Sequence, residues 1–563
     1  MKRTFIFPAV AAIVVAALVS ACTKGSRDFE KLNARAKQEY LNTIRCGADG
    51  QGPFWNRFAT KFTFCPAFDF EEVQEAASYR FTLDYIDDIW REPIEYGHGT
   101  DVPSMEEVLS SFEPAVQTWT FMADSPKASL KPVWNDVPPG NVQLKVDAID
   151  AEGQVIKTVG ARKFLRDFPF EGPYAPAIRP YREAAIMACL YNHFIPGVHN
   201  WVDSTEPDFS YRHNGYPSKI VGATVSFEAL MAKLIPEYKD QCLMAARHAA
   251  DWLISISEPE GSPMAFCPPT YWGDYIASAN PANKGTTMTM EPPRAARGYL
   301  DLYDMCGEQK YFDAAITIAR TLQKLQRPDG SLPLKVHIAT GENITGGSAT
   351  PTHLLVLWRR FATQYGVTEF AESLKKAEEF MMDVAIPSFD LTGQFEDVPV
   401  TDLHAFQNLT NGTYGGYAEY LLDKPDLTAR EIEVAKELTN LSEDQFVHWN
   451  ALYTKEGFRQ ILTPCVYEQY QYQTPVNSSS TQVSQALIGL YRATGDKLYL
   501  EKARALMNAV MLMQNQGNGQ PYTTWTWRSP EDNTYGGQRN YWLNCTLFVI
   551  ECWLELEELK DII

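Results

Sequence analysis

Acidic side chains surrounded by aromatic residues recur in the second half of this sequence. Glu468 lies in VYEQYQYQTP between Tyr467 and Tyr470, just before a helix-like run without charges. A carboxyl group that tyrosines shield from water has a raised pKa, which suits a general acid. We therefore expect Glu468 to transfer a proton. The alternative is an ordinary carboxylate that binds a backbone amide or a substrate hydroxyl.

Other acidic residues could act together with Glu468. Hydrolysis of a glycosidic bond uses two carboxyl groups, one of which is protonated. The candidate partners are Glu396 and Asp402, and Asp402 stands in TDLHAF close to His404. Further acidic candidates are Asp274 in YWGDY and Glu291 before a proline.

Most of these residues lie in segments rich in Tyr, Trp, Asn and Gln. Aromatic rings offer flat apolar faces on which sugar rings can stack, and polar groups bind sugar hydroxyls. Loop packing is the alternative role for any one of these aromatic residues. The predicted substrate contacts are Tyr211, His213, Tyr271, Trp272, Asp274, Arg294, His404, Tyr467, Tyr470, Trp525 and Trp527.

A different chemistry, β-elimination beside a uronate, needs a cation that neutralises the carboxylate and a Tyr or His base. Tyr211, Arg212 and His213 stand together in SYRHN, and Arg294 begins a helix-like run. Ordinary hydrogen bonding within a loop would also explain SYRHN. A lyase therefore remains an alternative at this point.

Composition and motifs exclude several function classes. The formal net charge is −20, which argues against a nucleic-acid-binding protein because such proteins carry a basic surface. The sequence contains no GxxxxGK[ST], HExxH, GxSxG or GxGxxG motif and no CxxC. Its nine histidines show no zinc-binding spacing. We therefore predict neither a metal nor a cofactor, and His193 and His248, in apolar helical runs, are expected in the core.

From about residue 180 the sequence repeats a helical unit. GEQKYFDAAITIARTLQKLQRPDG and TGDKLYLEKARALMNAVMLMQNQGNG share a turn, an aromatic residue, alanines and a Gln- and Gly-containing end. These repeated helices carry charges on one side, as surface helices do. The helix before each turn is nearly uncharged, which indicates burial on all sides. Each unit thus predicts an inner helix, a tight turn and an outer helix.

The repeat predicts a closed ring. Five pairs fit between about residues 219 and 516, and helices near Arg182–Phe194 and in NYWLNCTLFVIECWLEL complete a sixth. Twelve such helices form an (α/α)6 toroid over residues 180–563. Inner-to-outer links are short, whereas outer-to-inner links reach about twenty residues, and loops of that length are usually functional. All the long loops should emerge on one rim.

This helical repeat resembles the six-hairpin glycosidase superfamily. The resemblance covers about two-thirds of the chain and implies a glycoside hydrolase with a carbohydrate substrate, more readily a uronic-acid-containing glycan than starch or cellulose. The alternatives are a polysaccharide lyase on the same scaffold and a glycan-binding lipoprotein without catalysis. Fold alone does not decide between them.

Residues 76–167 show a different pattern. ASYRFTLDYI and NVQLKVDAID alternate apolar and polar residues, and an AEG turn leads into QVIKTVGARKF. Period-two alternation predicts strands with one buried face. VPPGNVQLKVDAIDAEGQV resembles the later strands of a fibronectin-III-like β-sandwich. We therefore expect a small sandwich before the ring.

The first residues predict export. Lys2 and Arg3 precede an apolar stretch that ends in LVSAC, which resembles a bacterial lipobox. Residues 1–21 would be a signal peptide and Cys22 the lipidated residue, followed by a tether and extension over 22–75. The alternative is a lone transmembrane anchor. We expect an outer-membrane lipoprotein of a Gram-negative glycan-utilisation system, periplasmic or at the cell surface, that contacts the membrane only through its lipid. Cys46 and Cys65 could form a disulfide there.

Overall fold

The protein consists of a β-rich module followed by a ring of helices. The computed structural model describes residues 29–45, 59–89, 103–273, 281–388, 391–394, 396, 409–451, 462–470, 472–528, 535–538 and 542–562. None of the helices in these ranges is both long enough and apolar enough to cross a membrane. Residues 1–28, which include Cys22, and Cys46 lie outside the described residues.

Twelve helices of the described chain build the ring. In chain order they are α1 (Tyr181–Phe194), α2 (Gly222–Leu234), α3 (Lys239–Ser255), α4 (Pro292–Cys306), α5 (Gln309–Leu325), α6 (Thr352–Tyr365), α7 (Ala371–Phe380), α8 (Asn411–Leu422), α9 (Ala429–Phe446), α10 (Asn477–Thr494), α11 (Lys497–Met513) and α12 (Leu543–Glu558). The even-numbered helices are inner and the odd-numbered ones are outer. In α2, the residues from Gly222 to Ala229 are buried without interruption, as expected for a helix packed on all sides.

The ring closes on itself. Each inner helix contacts the next, and α12 contacts α2. The helix α12 also packs along α1, where the Arg182 backbone N–H donates to the Glu557 carboxylate at 3.2 Å. This packing confirms the prediction that the first and last helices form a sixth pair. The chain therefore folds as a closed ring of six inner and six outer helices.

Glycine ends three of the inner helices. Gly307, Gly366 and Gly495 follow α4, α6 and α10 with φ angles of 70°, 70° and 72°. The N–H groups of Gly307 and Gly495 each donate to a carbonyl four residues earlier at 2.7 Å. Glycine adopts this left-handed conformation without the steric cost that a side chain brings. These turns reverse the chain at one end of the ring, so the longer connections lie at the other end.

Two sheets form the β-rich module. The larger has the strand order Lys61–Phe62, Val155–Arg166, Gly140–Ile149, Ser78–Asp87, Gln117–Ala123. The smaller joins Ile44–Arg45, Cys65–Asp69 and Lys127–Ser129. Phe68, Phe81, Leu144 and Phe164 belong to the core that the two sheets share.

The pairing within these sheets differs from a fibronectin type III domain. Lys61–Phe62 pairs in parallel with the end of Val155–Arg166, and Ile44–Arg45 pairs in parallel with Cys65–Asp69. Immunoglobulin-type sandwiches consist of antiparallel sheets. The fibronectin-III likeness is therefore not confirmed. The module also has strands before residue 76, and these are too short to produce an alternation that sequence analysis detects.

Buried polar contacts join the module to the C-terminal end of α9. The Lys61 ammonium, which also pairs with Asp167 of the module, donates to the carbonyl oxygen of Val447, the residue after α9, at 2.7 Å. Asp444 Oδ1 accepts the backbone N–H groups of Thr63 and Phe64 at 2.7 and 2.9 Å. Buried charges are tolerated when they are paired or hydrogen-bonded in this way. The module is thus held against the ring by specific electrostatic contacts.

Candidate active site

A cavity of about 90 Å³ lies inside the ring, at the end opposite the glycine turns. Every inner helix contributes to its wall from its first turns or the residues just before them. These contributions are Lys219 before α2, Arg294 in α4, Thr352 in α6, Thr413 in α8, Ser479 in α10 and Asn544 in α12. A helix N-terminus carries a partial positive charge, so six of them converging favour negative groups in the cavity. Three carboxylates also line the same wall, namely Glu291, Glu396 and Glu468.

Glu396 forms a buried ion pair with Lys219. Lys219 belongs to the π-helical turn Pro217–Val221, which leads into α2, and its ammonium donates to Glu396 Oε1. Both residues are buried. Burial by itself would raise the pKa of Glu396, but the charge and hydrogen bond of Lys219 outweigh burial and lower it. Glu396 therefore stays ionised.

Glu291 has the opposite electrostatic character. It is buried at the start of α4, and its Oε2 lies 3.1 Å from Nε of Arg294. Neither atom has a hydrogen-bond partner among the described residues, so this contact is an ion pair without hydrogen-bond geometry. Burial raises the pKa of Glu291 although Arg294 and Lys219 oppose it. Burial therefore favours the protonated form of Glu291, and the charge of Arg294 favours the ionised form.

Glu468 is the least buried of the three carboxylates. It lies in the strand Cys465–Gln469 and is half-buried, whereas its neighbours Tyr467 and Gln469 are buried. The pairing of this strand with Tyr472–Pro475 shifts register between Tyr467 and Gln469. At this irregularity Glu468 lines the cavity, whereas Tyr467 and Gln469 do not. The strand thus presents one carboxylate to the cavity.

An aromatic cluster stands beside Lys219. The indole of Trp542 stacks on the imidazole of His213 with ring centroids 3.9 Å apart, and the Lys219 ammonium lies 4.7 Å from the indole. Burial and the Lys219 charge lower the pKa of His213 to about 4, so this imidazole is neutral at pH 7. The Tyr271 hydroxyl donates to the backbone carbonyl of Glu396. Tyr271 therefore helps to fix the loop that carries Glu396.

Comparisons with known proteins find similarity in structure only. The chain matches no protein-family model, and no curated protein matches its sequence. The solved structures that are similar in fold include the following three. A family 76 glycoside hydrolase from a bovine Bacteroides thetaiotaomicron strain is 10% identical, with 88% of this chain and 99% of that chain covered and a TM-score of 0.45. A D-mannose isomerase is 12% identical, with 67% of this chain and 97% of that chain covered and a TM-score of 0.48. An unsaturated glucuronyl hydrolase from Streptococcus agalactiae is 9% identical, with 67% of this chain and 90% of that chain covered and a TM-score of 0.40.

The structure brings some of the predicted site residues together. Glu396, Glu468 and Arg294 line the cavity, and Tyr271 and His213 lie against residues of its wall. Trp272 is 38% exposed, and its ring plane is nearly perpendicular to that of Trp252. The predicted residues Asp274, Asp402 and His404, and the side chain of Trp527, lie outside the described residues.

Other predicted aromatic residues make contacts away from the cavity. Tyr467 packs on the His448 imidazole at a centroid distance of 4.3 Å. The hydroxyl of Tyr470 donates to Gln445 Oε1 at 2.8 Å. Trp525 is fully buried. These three side chains are positioned to support the loops.

Tyr211 has a contact that also differs from its predicted role. Its hydroxyl oxygen accepts the Leu543 backbone N–H at 3.1 Å, which satisfies one of the unpaired N–H groups at the start of α12. Tyr211 therefore positions the helix that supplies Asn544 and Cys545 to the cavity wall.

Lys219 and Trp542 were not predicted as site residues from the sequence, and Glu291 was predicted only as a further acidic candidate. All three stand at the N-terminal boundary of an inner helix. Their position, where a long loop enters an inner helix, is the signal that could have identified them. The partners of Lys219 and Glu291 come from distant parts of the chain or from the folded helix, so sequence alone does not reveal them.

A second cavity of about 190 Å³ lies on the glycine-turn side of the ring. Arg294, Thr352 and Phe548 line both cavities and separate them. The charges around the second cavity are largely paired, for example Arg297 with Glu551.

Proposed function

We propose that this protein is a glycoside hydrolase that acts on an oligo- or polysaccharide with a two-carboxylate mechanism. The observation that carries the proposal is that three carboxyl groups in different environments line one cavity: burial raises the pKa of Glu291, the charge of Lys219 lowers that of the buried Glu396, and Glu468 is half-buried. Pairs of carboxyl groups whose environments separate their pKa values are typical of acid and base roles.

Glu291 has the properties of the general acid. Burial raises its pKa, which favours the protonated form that a general acid needs, and the position beside Arg294 provides a charge that can stabilise the carboxylate after transfer. In hydrolysis the acid protonates the glycosidic oxygen as the C–O bond breaks. The departing sugar alcohol takes this proton, which leaves Glu291 ionised.

Glu468 and Glu396 have the other two roles in the proposed mechanism. Glu468 is half-buried, so water can reach it, and we assign it as the base that removes a proton from the attacking water. Glu396 is held ionised by Lys219 and can stabilise the positive charge that develops on the sugar ring. Asp402, which was predicted as an alternative partner, remains a prediction.

The charge distribution favours an acidic sugar. With Glu291 protonated, Lys219 and Arg294 balance the carboxylates Glu396 and Glu468, so the six inner-helix N-termini leave the cavity with a partial positive charge. These features support the expectation of a uronic-acid-containing glycan. The lyase alternative has less support, because neither Tyr211 nor His213 lines the described cavity.

A screen of the purified protein against defined oligosaccharides tests the proposal. Products are identified by mass and by the absorbance of unsaturated uronates. Hydrolysis adds one water across the bond, elimination creates an unsaturated product without added water, and a binding protein leaves the substrate intact. Products with an added water support the proposal, and either of the other results overturns it.

Variants then test the assignment of roles. Glu291→Gln and Glu468→Gln should each lower kcat by about a hundredfold or more, because loss of a general acid or base costs ~10²–10⁴-fold. The matched control is Glu372→Gln, an exposed residue of α7, which should retain full activity. A Glu291→Gln protein that keeps its turnover would remove Glu291 from the mechanism.

A further inference from the structure

We propose that a divalent transition-metal ion, with zinc as the best match, binds between α1, α2 and α3 at His193, Glu228 and Cys242. This site is separate from the carboxylate cavity, and it does not depend on the proposed function. Among the described residues, these three form the group of His, Cys, Asp and Glu side chains that is close enough to share one ion.

The geometry of the three side chains fits a small ion. His193 Nδ1 lies 3.0 Å from both carboxylate oxygens of Glu228 and 4.0 Å from Cys242 Sγ. All three ligand atoms lie within 4.8 Å of one another. Ligand atoms about 2.0–2.3 Å from a tetrahedral zinc ion lie roughly 3.3–3.8 Å apart. The His193 distances would change by a few tenths of an ångström to reach that range, and a Glu228–Cys242 separation as large as 4.8 Å would shorten by about 1 Å.

The donor set also indicates which metal would bind. One imidazole, one carboxylate and one thiolate suit zinc and similar transition metals, whereas magnesium and calcium prefer oxygen ligands alone. Cys189 lies one helical turn before His193, and His199 packs against His193 at a ring-centroid distance of 5.2 Å. His199 Nδ1 is buried without a hydrogen bond to the described residues. The group whose ligand atoms lie within 4.8 Å of one another holds three residues, so the fourth position needs a water or a movement of Cys189 or His199.

The position of the cluster explains why a cation would be stabilised. His193 and Glu228 have no exposed surface, and Cys242 is equally buried. A fully buried carboxylate needs a compensating charge, which the His193 imidazolium supplies in the absence of metal. On binding, His193 Nδ1 and the Cys242 thiol each release a proton, and the ion replaces those two positive charges. The net charge of the interior therefore stays the same.

The three helices give the site a structural role. His193 lies in the last turn of α1, Glu228 lies in the middle of α2, and Cys242 lies in the first turn of α3. A bound ion would link the first inner helix to outer helices on both sides. We therefore expect metal binding to raise the thermal stability of the ring.

The experiment uses the protein purified without a metal-affinity tag. Its zinc content is measured by inductively coupled plasma mass spectrometry. We expect about one zinc per chain, or uptake of one equivalent by chelator-treated protein. Cobalt in place of zinc should give the thiolate-to-cobalt charge-transfer absorption, which reports a sulfur ligand. Zinc in large excess over its Kd should raise Tm by about 2 °C or more.

Variants locate the ion. Cys242→Ser should abolish the charge-transfer absorption and weaken zinc binding at least tenfold, and His193→Gln should do the same to zinc binding. Cys306→Ser, a half-buried cysteine at the end of α4, is the control and should change neither. A wild-type protein that takes up no zinc, gives no such absorption with cobalt and melts unchanged would overturn the proposal. The cluster would then be a buried ion pair only. Since measurements on the wild-type protein alone can overturn the proposal, a variant that fails to fold does not block the test.

Discussion

Lys219 and Glu396 are 177 residues apart in the sequence and form a buried ion pair at the wall of the central cavity. The pair connects the turn before α2 with the loop that follows α7, so it crosses the ring between two hairpins. A buried ion pair contributes little net stability, but removal of one partner leaves an uncompensated charge. This contact therefore couples the ionisation of Glu396 to the position of Lys219.

The first prediction concerns that coupling. Lys219→Met should destabilise the folded protein by about 3–5 kcal/mol, because Glu396 is left buried without its cation. Urea unfolding followed by circular dichroism measures the change. The double variant Lys219→Met, Glu396→Gln should recover most of the loss. Lys375→Met, at an exposed position of α7, is the control. Equal stability of the single and double variants would show that the two residues do not interact.

The second prediction concerns the pH dependence of hydrolysis. Burial raises the pKa of Glu291, and Arg294 counteracts that effect. The rate should be bell-shaped, with an alkaline limb that follows loss of the Glu291 proton. Arg294→Gln removes a positive neighbour, so the pKa of Glu291 rises further and the alkaline limb moves to higher pH. Rate profiles for the variant and for Arg320→Gln, whose side chain is exposed on α5, provide the comparison. An unmoved or acid-shifted limb in Arg294→Gln contradicts the assignment.

The third prediction concerns Glu419, which lines the second cavity. Burial, together with the charges of Glu555 and Glu551, raises the pKa of Glu419 from 4.5 to about 8. A carboxyl whose pKa is higher in the folded state loses stability as pH rises from its unfolded value, 4.5, through about 8. Glu419→Gln removes this loss and should stabilise the protein by about 1–2 kcal/mol at pH 8 after allowance for water in the cavity.

Urea unfolding at pH 5 and pH 8 tests the effect of Glu419→Gln. The gain should be large at pH 8 and small at pH 5. Glu372→Gln, at an exposed site of α7, should gain nothing at either pH. A gain from Glu419→Gln that is independent of pH would mean that packing, and not ionisation, is responsible.

The fourth prediction concerns export. The LVSAC sequence predicts that residues 1–21 are removed and that Cys22 carries the lipid. Membrane fractionation and intact-mass measurement of the expressed protein test both steps. Cys22→Ala should move the protein from the membrane fraction to the soluble fraction, and Cys306→Ser should not. A Cys22→Ala protein that fractionates with membranes to the same extent as the wild type argues against lipidation.

The ring was predictable from sequence because its signals are local. Gly307 and Gly495 mark turns that need a left-handed backbone, and the long run without charges before Gly495 identifies an inner helix. The β-rich module was only partly predictable. Lys61–Phe62 has two residues, which is too few for an alternating pattern, and its parallel partner lies about a hundred residues later.

The candidate site was less predictable because it depends on pairs formed at long range. Glu396 was recognisable as an acidic residue in a long loop, but its pairing with Lys219 arises only in the folded ring. The tyrosines that made Glu468 conspicuous do not surround it at the cavity. Tyr467 packs on His448 and Tyr470 donates to Gln445, and neither lines the described cavity beside Glu468.

The last prediction concerns the attachment of the β-rich module to the ring. Asp444 in α9 accepts the backbone N–H groups of Thr63 and Phe64, and all three residues are buried. Asp444→Ala leaves both donors without a partner and should cost about 2–5 kcal/mol, since each unsatisfied buried group costs about 1–3 kcal/mol. Asp444→Asn keeps an acceptor oxygen and should cost less.

Hydrogen exchange measured by mass spectrometry distinguishes a local from a global effect of the Asp444 variants. In Asp444→Ala, peptides that cover residues 61–69 should exchange faster, while peptides from α4 and α6 on the far side of the ring should keep their protection. This outcome is expected because the contact anchors the short strands of the module and the ring closes through other helix pairs. Equal acceleration in all these peptides would mean that Asp444 supports the ring itself, and unchanged exchange in 61–69 would mean that its two hydrogen bonds do not hold the module.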